Sequence, residues 1–181
     1  MHRWFKTVSD LAADAEAVRR RRYGVIEVAD GRFRRLRLRP LPRLSTLIDV
    51  LLWGRWFHRG RPGDRCWLYY NQPRSFPNFL ALKYLVSTRR TTLATIHTAL
   101  AALDDIARLK RTDALLCDVT NLRISDRIMA RHGWEPHKPQ RWHRNYVKRF
   151  YGVYPGEGKG YRGQVTGDWL QGIGNRRQER L

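Results

Sequence analysis

The sequence predicts a single α/β domain, and three observations lead there. From residue 80 onward the apolar patterning runs strand, helix, strand, helix, strand, the order that builds a sheet with crossover helices. Hydrophobic residues make up 42% of the chain, and seven Trp, eight Tyr and six Phe need a core to bury them. At 181 residues the chain is long enough for one ordinary core and short for two, which assigns residues 1–151 to the domain and 152–181 to a tail.

Val8, Leu11, Ala12, Ala15 and Val18 recur at helical spacing, so residues 1–22 read as an N-terminal amphipathic helix. It ends in the basic run Arg19, Arg20, Arg21 and Arg22, which complements the helix dipole. In YGVIEVADGRFRRLRLRP, two β-like runs flank an Asp-Gly pair that predicts a hairpin. Period two in the second run separates Arg34, Leu36 and Leu38 from Phe33, Arg35, Arg37 and Arg39, a row of guanidinium groups. LSTLIDVLLWGRWF (44–57) predicts a helix opened by Thr46 and Asp49 as a capping box. Apolar nearly all round, it belongs in the core, against a partner or on a membrane surface. With Asp49 and Arg55 inside it, the run is too short to span a bilayer, so no transmembrane segment is expected. After the loop RGRPGDR, CWLYYN (66–71) and LALKYLVS (80–87) read as strands on either side of QPRSFPN. The clearest helix is 91–110, with Leu93, Ile96, Leu100, Leu103 and Ala107 on one stripe. ALLCDV (114–119) is a buried strand, ISDRIMARHG (124–133) a helix ending in a glycine cap, and WHRNYVKRFY (142–151) a final strand.

The formal charge of +20 creates a field that attracts polyanions: nucleic acid, anionic lipid or a phosphorylated cofactor. An Arg-rich composition alone would also produce it, so charge names no partner. Cys66 and Cys117 both lie in apolar runs, which suits a reducing compartment rather than a disulfide framework. The first residues lack an apolar core segment and carry Asp10, Asp14 and Glu16, so a cytoplasmic protein is expected. Eight glycines fall between 152 and 174, so the Gly/Arg-rich tail reads as flexible. Its GKGYRG (158–163) matches a nucleotide-binding pattern by spacing only, since it follows no βα turn.

The element order and local residues of 80–151 resemble the core of the GNAT superfamily of acyl-CoA N-acyltransferases, a GNAT-like mixed sheet with flanking helices. In that family a Gln/Arg-x-x-Gly-x-Gly/Ala loop and the helix after it hold the acyl-CoA pyrophosphate. The matching stretch is Arg89-Arg90-Thr91-Thr92-Leu93-Ala94, in which Arg89 and Ala94 fit and Thr92 replaces the central glycine. The resemblance makes Arg89, Arg90, Thr91, Thr92 and Ala94 the candidate cofactor-binding residues for acetyl-CoA or another acyl-CoA. Physically, a helix N-terminus flanked by two arginines is a plausible phosphate cradle, while an ordinary Thr cap beside solvated arginines is the plainer reading. Aligning on Gly133-Trp134 puts Ser125 at the family's small position, Arg131 at its basic one and Asn121 one residue early. Met129 takes the place of the tyrosine that protonates the leaving thiolate, and a thioether has no proton to give. Catalytic residues are therefore unknown. Asp118 and His97 are acid/base candidates by type alone, and Cys117, inside an apolar strand, reads as inert.

His132, His137 and His143 lie four and five residues apart with no cysteine nearby, which is poor zinc spacing, so no metal is expected. In the last strand, Trp142, Arg144, Tyr146, Lys148 and Phe150 alternate with His143, Asn145, Val147, Arg149 and Tyr151. That is the pattern of a closing strand, with polyanion contact as a second duty. Two function classes result. One is an enzyme, a divergent GNAT-like acyltransferase that uses acyl-CoA to modify an amine, or one that keeps the fold without the turnover. The other is a non-catalytic module that holds RNA or the ribosome through Arg35, Arg37, Arg39, Arg144 and Lys148.

Overall fold

The computed structural model describes residues 5–40, 63–119, 125–138 and 144–155. The predicted helix at 44–57, Asn121, Trp142, His143 and the tail from 156 onward, with its GKGYRG, lie outside the described residues. The chain runs β1 (Lys6–Val8), α1 (Ala15–Arg20), β2 (Tyr23–Ala29), β3 (Arg32–Arg39), β4 (Arg65–Asn71), β5 (Phe79–Ser87), α2 (Leu93–Lys110), β6 (Ala114–Val119), α3 (Asp126–Arg131), β7 (Glu135–Pro136) and β8 (Arg144–Arg149). The strands form one mixed sheet in the order β1-β3-β2-β4-β5-β6-β8-β7. Every neighbouring pair is antiparallel except β5 and β6, which are joined in parallel by the α2 crossover. No helix among the described residues is long and apolar enough to cross a membrane.

The Asp-Gly signal forms as read: Asp30 (φ 54°) and Gly31 (φ 69°) make the two-residue turn between β2 and β3. A register shift between Glu27 and Val28 inserts Arg34 as an extra residue. Phe33 therefore pairs with Val28 and packs against the core, not beside Arg35 as strict alternation implied. Leu36 and Leu38 are fully buried.

The N-terminal helix is shorter than its apolar spacing suggested. Val8 is buried as the last residue of β1 on the free edge of β3, and the Asp10 carboxylate accepts hydrogen bonds from the Ala12 and Ala13 amides in a turn, so α-helix begins only at Ala15. Val8, Leu11 and Val18 all reach the core, but by three different backbone geometries.

The burial face of α2 also differs from the leucine stripe. Leu93 is 64% exposed, while Thr95, Thr98, Ala99, Ala102, Leu103, Ile106 and Ala107 are buried. Two threonines can face the sheet because their hydroxyls find partners there: the Gly31 amide donates to Thr95 Oγ1 (2.8 Å) and Thr98 Oγ1 donates to the Gly31 carbonyl (2.9 Å). Leu103 and Ile106 join Ile26, Leu68 and Leu80 in the buried core, each burial contributing about 1.5–3 kcal/mol before entropy. α1 packs on α2, and α3 reaches the same sheet face through Asp126, which accepts from the Tyr146 hydroxyl, and through the His97–His132 contact. Tyr146 on β8 and Phe150 just after it thus belong to the core, at 2% and 4% exposed.

Candidate functional site

The connection from β5 to α2 is built by threonines. The Thr91 amide donates to the Thr88 carbonyl (3.2 Å), closing a turn whose two central residues are Arg89 and Arg90, both exposed. Buried Thr88 accepts from the Arg65 amide (3.1 Å) and donates to the Gly63 carbonyl, and the Thr91 hydroxyl lies 2.8 Å from the Arg65 carbonyl. Both ends of the turn are thereby pinned to the start of β4, and the two guanidinium groups project into solvent.

The first turn of α2 already faces an anion. Asp64 Oδ1 accepts from the Thr92 amide (2.9 Å), and Oδ2 accepts from the hydroxyls of Thr92 (2.7 Å) and Thr95 (2.7 Å). Thr92 is the N-cap, and its hydroxyl accepts from the Thr95 amide (3.3 Å). Of the four amides that an α-helix leaves without intrahelical partners, those of Leu93 and Ala94 remain uncapped among the described residues, and both residues are exposed. Burial alone would raise the Asp64 carboxyl, but the hydrogen bonds from Thr92 and Thr95 outweigh it and hold the group below the ordinary carboxylate range. Thr92 sits at φ −79° and ψ 160°, backbone that any residue adopts, so its conformation makes no demand for glycine. Asp64 escaped the sequence reading because it lies in a loop 28 residues before its partner, with no local pattern to mark it.

Beside this turn the sheet comes apart. β5 and β6 pair only from Phe79–Ala114 to Leu82–Cys117, although β5 continues to Ser87 and β6 to Val119. The ladder stops where β5 carries an irregularity: Tyr69 pairs with Tyr84 and Tyr70 with Leu82, leaving Lys83 as an extra residue. Beyond it, among the described residues, β5 pairs on one side only, with β4, and its other edge of backbone N–H and C=O groups has no strand partner. This opening lies at the C-terminal ends of two parallel strands, where open α/β sheets place ligands, and β5 leads from it into the turn that precedes α2. Arg89, Arg90, Thr91, Thr92 and Ala94 lie in the connection from β5 to α2, which Thr91 and Thr92 tie to Arg65 and Asp64.

Other candidate residues fall elsewhere. Met129 is 8% exposed and part of the core. Burial, and then the charge of Asp118, push the Cys117 thiol up to about 12, so the thiolate is scarce at neutral pH. His97 meets His132 edge-on with ring centroids 4.3 Å apart, and burial, His97 and Lys148 together lower the His132 pKa. Asp118 is exposed near the end of β6, opposite Asn145 on β8. Among the described residues, no three His, Cys, Asp or Glu side chains converge as metal ligands would.

The residues expected to touch nucleic acid are dispersed and largely engaged. Arg35 (2.6 Å) and Arg37 (3.3 Å) both reach Glu27, Arg144 lies 3.6 Å from Asp126, and Lys148 is paired with Asp104 at 2.7 Å with only 14% of its side chain exposed. Arg39 lies half-buried at the end of β3, beside Tyr23. Burial would raise the Glu27 carboxyl, but Arg35, then Arg37 and Arg65, bring it below its usual value.

No family model matches this sequence, and no curated protein does. Among solved structures the chain is similar to a nourseothricin acetyltransferase. The two share 12% identity over 81% of this chain and 98% of that one, with a TM-score of 0.35. The likeness is distant.

Proposed function

We propose that this chain is a GNAT-like N-acyltransferase that takes acetyl-CoA or another acyl-CoA into the opening between β5 and β6 and transfers the acyl group to an amine. The observation that supports this reading is the interrupted parallel pair, whose β5 strand leads through the Arg89–Arg90 turn into the first turn of α2. Fit can be judged by charge. The connection carries two guanidinium groups and a helix N-terminus worth about half a positive charge against one carboxylate, Asp64, so its net charge still favours a diphosphate. Arg89, Arg90 and the Leu93 and Ala94 amides would hold the phosphates, while Asp64 rigidifies Thr92 at the cost of some of that attraction. The free β5 edge offers backbone donors and acceptors to the amide-bearing arm of the cofactor. When bound, acyl-CoA supplies an activated thioester whose thiolate leaves as the amine nitrogen bonds to the carbonyl carbon.

Met129 has no proton for that thiolate, so the acid must be another group or a water in the opening. A chain that holds acyl-CoA without turnover satisfies the same geometry. The RNA or ribosome reading draws less support, because Arg35, Arg37, Arg144 and Lys148 are spent on carboxylates of the chain itself. Calorimetric titration with acetyl-CoA tests the proposal. One saturable site that weakens at least tenfold in R89Q/R90Q supports it, and no saturation at millimolar ligand refutes it.

A further inference from the structure

The far end of α2 carries a second cationic feature that the acyltransferase reading does not use. An 18-residue helix spans about 27 Å, so Lys110 is remote from Thr92. There the end of α1, the end of α2 and the residue after β4 border an open cavity of about 400 Å³ lined by Arg19, Gln72, Leu109, Lys110 and Arg111. Among the described residues no carboxylate lines it.

Three observations bear on its ligand. Lys110 Nζ donates to the carbonyls of Arg19 (3.1 Å) and Arg21 (2.8 Å) and to Gln72 Oε1 (3.0 Å), all neutral acceptors, so its charge is uncompensated. Arg22 lies close enough to oppose that charge, and its Nη1 is buried with no hydrogen-bond partner among the described residues. Arg19 spends its Nε on the Leu109 carbonyl (3.0 Å), and its nearest carboxylate, Glu16 at 4.0 Å, is already held by Arg20 at 2.8 Å.

A purely structural reading takes Lys110 as a clamp on the carbonyls after α1, and the basic residues as partners of the α2 dipole. That dipole supplies about half a negative charge. Arg19, Arg22, Lys110 and Arg111 bring four positive ones, so the clamp leaves most of the charge unanswered.

We propose that this cavity binds a phosphate-type oxyanion, either free phosphate or the phosphoryl group of a small phosphorylated molecule, between Arg19 and Arg111, with the charges of Lys110 and Arg22 behind them. The cavity size is that of a small-ligand pocket. Burial first, and then Arg22, lower the Lys110 pKa to about 8. The groups facing it are Arg19 and Arg22 from the α1–β2 side, Gln72 from β4, and Arg111 beside it on the chain. An arriving anion stabilises the ammonium, so binding near pH 8 takes up a proton.

The test is calorimetry with inorganic phosphate at constant ionic strength. It uses the full chain carrying R89Q/R90Q, which silences the proposed cofactor loop, so its failure and the failure of the acyltransferase reading are distinguishable. One equivalent is expected to bind, with heats at pH 8 that depend on the buffer's ionisation enthalpy in the sense of proton uptake. Arg111→Asn keeps a residue tolerant of the observed φ of 51° and is expected to weaken binding about three- to tenfold, as loss of one partly exposed charge-assisted contact does. Ribose 5-phosphate in place of phosphate separates the sources: tighter binding assigns an organic phosphate, and equal binding the free ion. Absence of saturable binding, or binding unchanged in both Arg111→Asn and Arg19→Gln, or no proton uptake, overturns the proposal.

Discussion

Asp64 shows how one side chain can define a site and limit it. Its three short hydrogen bonds organise the first turn of α2, and its charge competes with any phosphate brought there. Asp64→Asn is expected to cost about 1–2 kcal/mol in urea unfolding at pH 7 while tightening acetyl-CoA several-fold at low salt. The acid dependence has a definite sign. A carboxyl held below its ordinary value contributes stability that is present above about pH 4 and lost as pH falls through the lower folded value. The wild-type urea midpoint should therefore drop on acidification below about pH 4, and Asp64→Asn should lose less across the same range. Glu27 contributes with the same sign through Arg35 and Arg37. A second pair gives a test of buried charge: Lys148 and Asp104 are only 14% and 13% exposed. Lys148→Met should cost about 3–5 kcal/mol by stranding the Asp104 carboxylate, and adding Asp104→Leu should recover most of that. If the double variant is no better than the single, the pair is not what holds β8 to α2.

Strands and helices packed on one another set the next constraints. Gly24 on β2 leaves room for the Tyr70 ring of β4: a Cβ at position 24 would fall 2.5 Å from Tyr70 Cε1, and Tyr70 is only 3% exposed and cannot swing away. Gly24→Ala should destabilise by about 1–3 kcal/mol, and shrinking the ring in Gly24→Ala/Tyr70→Leu should return part of the loss, as a double-mutant cycle would show. This contact is invisible in sequence, since nothing in YGVIEV announces a tyrosine two strands along the chain. The strands themselves were legible because β-branched and aromatic runs bounded by Gly, Pro and Asp have few alternatives, as ALLCDV and the Asp-Gly hairpin show. The face of α2 was not legible. Apolarity scoring favours Leu93 over Thr95, and only the tertiary bonds to Gly31 make the threonine the buried one. The 1–22 helix failed for a related reason: the apolar spacing was real, but the free edge of β3 and the Asp10 turn claimed its first half.

At the scale of the whole molecule the decisive feature is that the sheet, antiparallel at every other pairing among the described residues, contains one parallel pair, and that pair stops short of both strand ends. Sequence order alone implied the crossover, because a strand, a long helix and a buried strand in succession leave little else to build. The opening could not be read the same way, since it depends on where pairing stops and on an extra residue, Lys83, that no local pattern marks. The charge of +20 acts at this level too, and much of it is local: arginines tied to Glu27, Glu16 and Asp126 are not free to steer a ligand. The central claim is that the free β5 edge and the first turn of α2 receive an acyl-CoA. Backbone hydrogen exchange with and without acetyl-CoA tests it most directly. Slower exchange confined to residues 83–94, with β2 and β3 unchanged, is the predicted result, and an exchange pattern at 83–94 indifferent to saturating acetyl-CoA would contradict it.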